Sequence, residues 1–159
     1  MLPEVRRLAQ RLIERGFKVA TAESCTGGWL AKCLTDLAGS SQWFLAGWVC
    51  YSNEAKQRDL GVRATTLQRH GAVSRATVRE LAQAALQRSG ADLAVAISGI
   101  AGPGGAVPGK PVGTVWFAVA RRRGRSARIE TVVQRFRGDR DQVRSKAVRF
   151  ALRRLYSSA

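Results

Sequence analysis

A serine at a glycine-containing turn is the first feature of this sequence that could do chemistry. Residues 22–28 read AESCTGG, which places Ser24 and Cys25 between a predicted strand and a predicted helix. The first N–H groups of a helix lack partners and hold negative charge, so Ser24 is a candidate nucleophile with an oxyanion hole beside it. Cys25 is a rival nucleophile, because a helix N-terminus lowers a thiol pKa. A plain N-cap is the structural alternative.

A nucleophilic serine needs a base, and the sequence contains one histidine, His70, which precedes a glycine and is predicted to lie at a helix C-terminus. Lys56, in the segment YSNEAK, can serve instead if burial or neighbouring cations lower the pKa of its amine. This basic chain offers such cations, and the positive end of the helix dipole acts in the same direction. The opposing interpretation of Lys56 is an exposed surface charge.

A glycine-rich loop follows a predicted buried strand, where open α/β sheets bind ligands. Residues 99–113 contain six glycines and three prolines, and Ser98 immediately precedes them. Glycines allow the backbone to approach a ligand, and Ser98 can donate a hydrogen bond. The alternative is a flexible connector, although loops of this length in small domains are more often functional.

A group of arginines surrounds the start of the last predicted helix. Arg140 and Arg144 are four residues apart and share a helical face. Guanidinium groups bind phosphate in a bidentate manner, so this group predicts an anion site. The alternative is a solvated face, or partners for Asp139 and Asp141. The full group is Arg135, Arg137, Arg140 and Arg144.

Periodicity predicts helices and strands that interleave around these segments. Ser74 is a predicted cap, Asn53 a possible one, Asp139 begins the last helix, and Val5, Leu8, Leu12 and Ile13 form the apolar stripe of the first. The predicted helices cover residues 3–15, 26–37, 53–60, 65–69, 75–89 and 139–155. The predicted strands cover residues 17–21, 43–52, 93–98, 114–120 and 128–136. This pattern predicts a three-layer α/β/α sandwich with a mixed β-sheet, in which 43–52 is a buried strand.

Length and composition predict one globular domain over residues 1–159. The chain has a mass of 17.3 kDa, with 45% hydrophobic and 24% charged residues, which excludes wholesale disorder. Three cysteines without CxxC spacing argue against a disulfide framework or a structural zinc site. No apolar stretch predicts a membrane span or a secretory signal, so we expect a soluble, cytoplasmic protein.

The charge balance suggests a second class of function. The formal net charge is +16, and residues 121–159 contain 13 basic and 3 acidic residues. Such an excess attracts nucleic acid, an acidic membrane surface or a phosphorylated small molecule. A nucleic-acid-binding module is therefore the main alternative function, although no recognition motif accompanies the charge. Arginine on a solvated face is the structural alternative.

Several long motifs together resemble one known family. AESCTGG, GWVCYSNEAKQRDLGV, HGAVS, SGIAGPGG and KPVGTVWFA follow one another as in the CinA C-terminal domain family. The resemblance runs from about Lys18 to Leu155. Stand-alone members of the family are nicotinamide-nucleotide amidohydrolases, so the resemblance implies hydrolysis of the carboxamide of nicotinamide mononucleotide to nicotinate mononucleotide and ammonia, within the pyridine nucleotide cycle.

The resemblance also implies roles for particular residues. Ser24 corresponds to the family nucleophile, Lys56 to its base, and Tyr51 lies in the site. Ser98 stands where the family usually has threonine, which keeps the hydroxyl. Either Arg137 or Arg140 corresponds to a family substrate-site arginine. Together with the residues of the glycine-rich turn and loop, the predicted substrate-binding residues are Thr26, Gly27, Gly28, Ser98, Gly99, Gly102, Gly104, Lys110, Arg137 and Arg140.

The same resemblance implies a homodimer that uses no metal and no cofactor. Nicotinamide mononucleotide is then the small-molecule partner, and nucleic acid and membrane partners are not expected. A regulatory domain that keeps the fold without turnover remains a further alternative, against which the presence of both Ser24 and Lys56 argues.

Overall fold

The computed structural model describes residues 3–159, and the elements alternate along the chain much as the sequence predicts. In chain order they are α1 (Pro3–Arg15), β1 (Val19–Glu23), α2 (Trp29–Thr35), a 3-10 turn (Ser40–Gln42), β2 (Phe44–Val49), α3 (Asn53–Leu60), α4 (Ala64–His70), α5 (Arg75–Ser89), β3 (Leu93–Gly99), β4 (Thr114–Arg123), β5 (Ser126–Arg135) and α6 (Arg140–Ser158).

The five strands form one mixed sheet in the order β2-β1-β3-β4-β5. β1 pairs in parallel with both β2 and β3, whereas β4 runs antiparallel to β3 and β5. α1, α2 and α6 pack on one face, and α5 packs across the other. The predicted three-layer α/β/α sandwich with a mixed sheet is therefore confirmed.

The two faces of the sheet bury side chains of different size. Strand alternation sends large residues toward α1, α2 and α6, among them Val95, Ile97 and Phe117. The opposite face consists largely of alanine, which lets α5 pack closely against the sheet. Its alanines are Ala20, Ala22, Ala94, Ala96, Ala118 and Ala120. The fold therefore fixes the strand ends that carry the candidate residues between two dry layers.

Side chains at two helix starts fix where α5 and α6 begin, as predicted. The Ser74 hydroxyl accepts a hydrogen bond from the Thr77 N–H, which caps α5. Asp139 and Gln142 form a reciprocal capping box at the start of α6. These caps also fix the positions of the loops immediately before both helices.

Two predictions about burial are wrong. The segment 43–52 is rich in aromatic and β-branched residues, but β2 is an edge strand whose residues alternate between half-buried and exposed, with Leu45 and Val49 exposed. Ile13 is 54% exposed, because the buried stripe of α1 turns through Val5, Leu8 and Leu12 and leaves it outside. Hydrophobicity alone did not reveal which sheet edge or helix face lacks a neighbour.

Within residues 3–159, no helix combines the length and apolar character needed to cross a bilayer. The three cysteines are buried free thiols.

Candidate functional site

Ser24 lies immediately beyond β1, at the edge where β1 and β3 both end. Its backbone N–H donates to the Ile97 carbonyl at 3.0 Å, which extends the pairing of the two strands by one residue. The residue is 9% exposed. The sheet therefore holds this hydroxyl at the carboxyl end of its parallel strands, where side chains from several elements converge.

The turn after Ser24 delays the start of the next helix. Gly27 and Gly28 have φ values of 60° and 89°, in the left-handed region that glycine adopts without strain. Helix α2 therefore begins at Trp29, and the prediction of a helix from residue 26 is wrong. The Gly27 N–H donates to the Ser24 carbonyl at 3.0 Å. Among residues 3–159, the N–H groups of Thr26 and Gly28 have no backbone acceptor.

A buried carboxylate supports this turn from beneath. Glu23 is 1% exposed, and its two oxygens accept the N–H groups of Leu30 and Ala31 at 3.0 and 2.8 Å. These bonds satisfy the first turn of α2 and place negative charge at the positive end of its dipole. Sequence reasoning quoted Glu23 within AESCTGG without assigning it a role.

Arg144 of α6 forms hydrogen bonds to the same turn from the other side. Its guanidinium donates to the carbonyls of Cys25 and Thr26 at 3.1 and 3.2 Å and lies over the Trp29 ring at 5.2 Å. Sequence reasoning placed Arg144 in an arginine group but did not assign it to the site. Its position four residues after Arg140 was the available signal, since both then face the same way.

Lys56 brings its amine to Ser24. The Lys56 Nζ lies 3.1 Å from the Ser24 Oγ and donates to the carbonyls of Cys50 and Tyr51 at 2.9 and 3.0 Å. Ser52, not Asn53 as predicted, caps α3, because its hydroxyl accepts the N–H three residues later. Helix α3 therefore begins at Asn53, and Lys56 lies on its first turn with a buried side chain.

Burial, rather than neighbouring cations, tunes this amine. Lys56 is 1% exposed, so its interpretation as a surface charge is wrong. Burial lowers the pKa of the Lys56 amine below its ordinary value, because a charged amine loses its hydration there. The nearby Cys50, Cys25 and Glu54 act weakly in the opposite direction. The expected contribution of the many arginines does not appear at this amine.

Cys25 turns away from the site and into the core. It is 6% exposed and packs in the cluster between the sheet and helices α1, α2 and α6. Burial raises the pKa of the Cys25 thiol to about 12. The thiol is therefore protonated at neutral pH, and the interpretation of Cys25 as a rival nucleophile is wrong.

Tyr51, Arg140 and Gly102 form a bridge over this end of the sheet. The Arg140 guanidinium donates to the Tyr51 hydroxyl at 2.9 Å and to the Gly102 carbonyl at 2.8 Å. Gly102 has φ 85°, and a side chain there would collide with Val112. The bridge thus links the strand-to-helix segment that carries Lys56 to the glycine-rich loop and to α6.

The glycine-rich loop is fastened at its base. The Ile100 N–H donates to the Thr114 carbonyl, and the Gly113 N–H donates to the Ile100 carbonyl, at 2.9 and 2.7 Å. Gly99 closes β3 and pairs with Val115. With the Arg140 bond, these contacts contradict the interpretation of the loop as a flexible connector.

Several predicted substrate-binding residues are engaged elsewhere. The Ser98 hydroxyl is buried and donates to the Ala72 carbonyl at 2.9 Å. Lys110 donates to the carbonyl of His70, the last residue of α4, at 2.8 Å. Gly104 lies on the exposed part of its loop, and Arg137 is exposed just after β5. The structure therefore groups Ser24, Lys56, Tyr51 and Arg140. Among residues 3–159, no hydrogen bond joins the Ser24 hydroxyl to Ser98, Gly104, Lys110 or Arg137.

Comparison with known proteins now identifies the family. The model of the CinA C-terminal domain matches residues 3–159. This chain belongs to the CinA C-terminal domain family. A relative from Escherichia coli strain K12 named nicotinamide-nucleotide amidohydrolase PncC is 55% identical over 152 residues, which are 94% of this chain and 89% of that protein.

Other members of the CinA family agree in sequence and in fold. A CinA-like protein from Chlorobaculum tepidum is 50% identical over 145 residues, which are 91% of this chain but 34% of that longer protein. The crystal structure of a CinA superfamily protein from Klebsiella pneumoniae 700603 superposes with a TM-score of 0.91 at 48% identity, covering 98% of this chain and 94% of that one. The predicted family membership is confirmed.

Proposed function

We propose that this chain is an amidase that hydrolyses the carboxamide of nicotinamide mononucleotide to nicotinate mononucleotide and ammonia. The observation that carries the proposal is the 3.1 Å contact between the Ser24 hydroxyl and the buried Lys56 amine. The name of the Escherichia coli relative supplies the substrate. A hydroxyl beside an amine of lowered pKa has the nucleophile and the base that attack on an amide carbon uses.

The neutral Lys56 amine matches its surroundings. A neutral amine has two N–H donors and one lone pair. The donors fit the two nearest carbonyls, those of Cys50 and Tyr51, rather than the Ser52 carbonyl at 3.5 Å, and the lone pair then accepts the Ser24 O–H. Lys56 is therefore oriented as a general base toward the one hydroxyl that it contacts.

The reaction begins when Lys56 takes the Ser24 proton while the Ser24 oxygen attacks the carboxamide carbon. The negative charge that develops on the carbonyl oxygen is stabilised by the unpaired N–H groups of Thr26 and Gly28. Gly27 does not contribute its N–H, since that group donates to Ser24. The Lys56 ammonium then protonates the departing nitrogen, the C–N bond breaks, and ammonia leaves an ester on Ser24.

Water completes the cycle. Lys56, again neutral, takes a proton from water as its oxygen attacks the ester carbon. The second tetrahedral intermediate collapses, the bond to the Ser24 oxygen breaks, and Lys56 returns the proton to Ser24. The product forms as the carboxylic acid and loses its proton to the released ammonia or to solvent, so nicotinate mononucleotide leaves as the carboxylate and the enzyme regains its starting state.

The substrate phosphate needs a cation outside the Ser24–Lys56 pair. Arg137, Arg140 and Lys110 are the candidates, and the Arg137 guanidinium has no partner among the residues that the structure describes. We expect Arg137→Gln to raise KM for the mononucleotide and to leave the weaker hydrolysis of nicotinamide riboside unchanged. Equal efficiency of the two substrates in the unmodified protein would contradict a phosphate clamp.

Ammonia release from nicotinamide mononucleotide tests the proposed activity directly. Ser24→Ala should lower kcat by at least about 10³-fold, because the nucleophile is removed. Cys25→Ala is the matched control at the adjacent position and should keep kcat within about tenfold, allowing for its place in the core. Near-normal turnover by Ser24→Ala would exclude the mechanism. No ammonia from the unmodified protein would favour a regulatory domain.

Four further expectations accompany the proposed activity. They are a single domain over residues 1–159, a homodimer, a cytoplasmic location and a role in pyridine nucleotide recycling. Light scattering on the purified protein tests the dimer, because the mass of one chain is 17.3 kDa.

A further inference from the structure

A basic cleft lies between the β4–β5 hairpin and the last turn of α6. Its volume is about 340 Å³, which is within the usual range for small-molecule sites. We call it the arginine cleft, and its charged lining residues are Arg121, Arg123, Arg128, Glu130 and Arg154.

The cleft contains more positive charge than its own contacts neutralise. Glu130, its one acidic residue, binds Arg128 and Arg154 at 3.0 and 2.9 Å. Arg121 donates to the Ser158 carbonyl at 2.9 Å, which neutralises no charge. The Arg123 guanidinium has neither a hydrogen bond nor an ion pair to any of residues 3–159. Four guanidinium groups therefore line the cleft with one carboxylate, which contacts two of them.

The neighbouring positive charges affect the pKa of Arg121. Partial burial lowers the pKa of Arg121, and Arg123, Arg15, Arg11 and Arg128 lower it further through their positive charges. Placing these groups together opposes folding of the isolated chain, and a bound anion would offset that repulsion. The electrostatics of the cleft thus favour an occupant of negative charge.

The arginine cleft is separate from the proposed amidase site. Arg121 pairs with Leu93 at the start of β3, whereas Ser98 and Gly99 lie at its other end. Five to six residues of extended strand between them correspond to about 16–20 Å. A mononucleotide bound at Ser24 therefore does not place its phosphate among these arginines.

We propose that the arginine cleft binds a small anion with two or more linked phosphoryl groups, of the diphosphate or triphosphate class. Arg121 and Arg128 are directly opposite on adjacent strands, where Cβ atoms lie about 5 Å apart, and Arg123 follows two residues later on the same face at about 7 Å. Guanidinium groups at this spacing can each hold a different phosphoryl group of one chain. The volume of the cleft suits a small ligand better than a nucleic-acid strand, which needs an extended groove.

Calorimetric titration with inorganic tripolyphosphate, at an ionic strength of about 0.15 M, tests the proposal. We expect one tripolyphosphate per chain and binding of orthophosphate at least about tenfold weaker, because one phosphoryl group engages fewer arginines. Arg123→Gln with Arg128→Gln should weaken tripolyphosphate binding at least about tenfold. Both side chains are exposed, so this double variant should fold normally, and it should hydrolyse the amide substrate as the unmodified protein does.

The matched control removes the same charge elsewhere. Arg6→Gln with Arg79→Gln changes two exposed arginines outside the cleft and should weaken binding less than about twofold. Equal losses in the two double variants would overturn the proposal, since binding would follow net charge alone. It would also be overturned if the unmodified protein bound a single-stranded oligonucleotide but not tripolyphosphate, or bound neither. Ser24→Ala should retain tripolyphosphate binding, so this result does not depend on the proposed amidase activity.

Discussion

The two ends of the sheet differ in whether their charged side chains are buried or exposed. At the carboxyl end of the parallel strands, Lys56 is 1% exposed and its amine contacts one hydroxyl and backbone carbonyls. At the other end, the Arg128 side chain is 67% exposed, and two arginines, Arg128 and Arg154, pair with Glu130. One end thus buries the Lys56 amine and the Glu23 carboxylate, whereas the other gathers several arginines at the surface.

The contrast shows that net charge and chemical reactivity have different structural requirements. A base must lose water to lower its pKa, and each of its hydrogen bonds must then come from the protein. An anion site needs cations that solvent can reach, so that a ligand can replace water. The +16 charge of the chain therefore says little about where its reactive amine lies.

Of the variants that test this comparison, Lys56→Met is expected to have the largest effect. Methionine keeps most of the volume but cannot accept the Ser24 proton, so kcat for ammonia release should fall by about 10²–10⁴-fold. Lys32→Met is the matched control, because Lys32 is exposed and its amine pairs with Asp36 on the surface. The control should keep kcat within about twofold. Full activity of Lys56→Met at neutral pH would contradict the assignment of Lys56 as the base for Ser24.

A smaller effect is expected from Arg144→Gln, which tests positioning at the same end. Arg144 holds two carbonyls of the turn after Ser24, so its loss should displace the turn and lower kcat roughly 10- to 100-fold. KM should change less, since Arg144 is not proposed to contact substrate. Arg149→Gln, on the same helix but paired with Glu4, should leave kcat unchanged. Similar losses in both variants would indicate a general role of α6 instead of a local one.

The pH dependence of kcat/KM tests whether Lys56 acts as the base. Along the acidic limb of the profile, kcat/KM should change about tenfold for each pH unit. The base must be neutral, so kcat/KM should rise with pH as Lys56 loses its proton. Because burial lowers the Lys56 pKa, the midpoint should lie below the ordinary lysine value of 10.5. The residual activity of Lys56→Met should lack this limb. A rise centred at or above 10.5 would mean that burial does not tune this amine.

Most of the architecture could be predicted from the sequence because its signals are local. The alternation of valine and alanine in LAVAIS identifies a strand buried on both faces, and the caps at Ser74 and Asp139 mark two helix starts. Edge position is not local. The apolar composition of β2 suggested burial, but no strand pairs with its outer edge in the part of the chain that the structure describes.

The candidate site could be predicted only in part. Resemblance selected Ser24 and Lys56, but the residues alone left Cys25 open and gave Lys56 a surface alternative. The core position of Cys25 and the burial of Lys56 arise from packing among distant elements. Arg144 contacts Cys25 across 119 residues of sequence, and no spacing rule reaches that far.

The smallest effect is expected from Tyr51→Phe. The chain has two tyrosines, one at each end of the sheet, so Tyr156 provides the control. Tyr51→Phe removes the hydroxyl that accepts from Arg140 and keeps the ring, so the bridge to the glycine-rich loop should loosen. We expect KM to rise about two- to fivefold, which is the scale of one partly exposed hydrogen bond. Tyr156 lies on α6 under Arg7 and Arg11, and Tyr156→Phe should leave both kinetic constants unchanged. An equal rise in KM for the two variants would show that the Tyr51–Arg140 hydrogen bond has no specific role in substrate binding. Arg140 would then be available to bind the substrate phosphate.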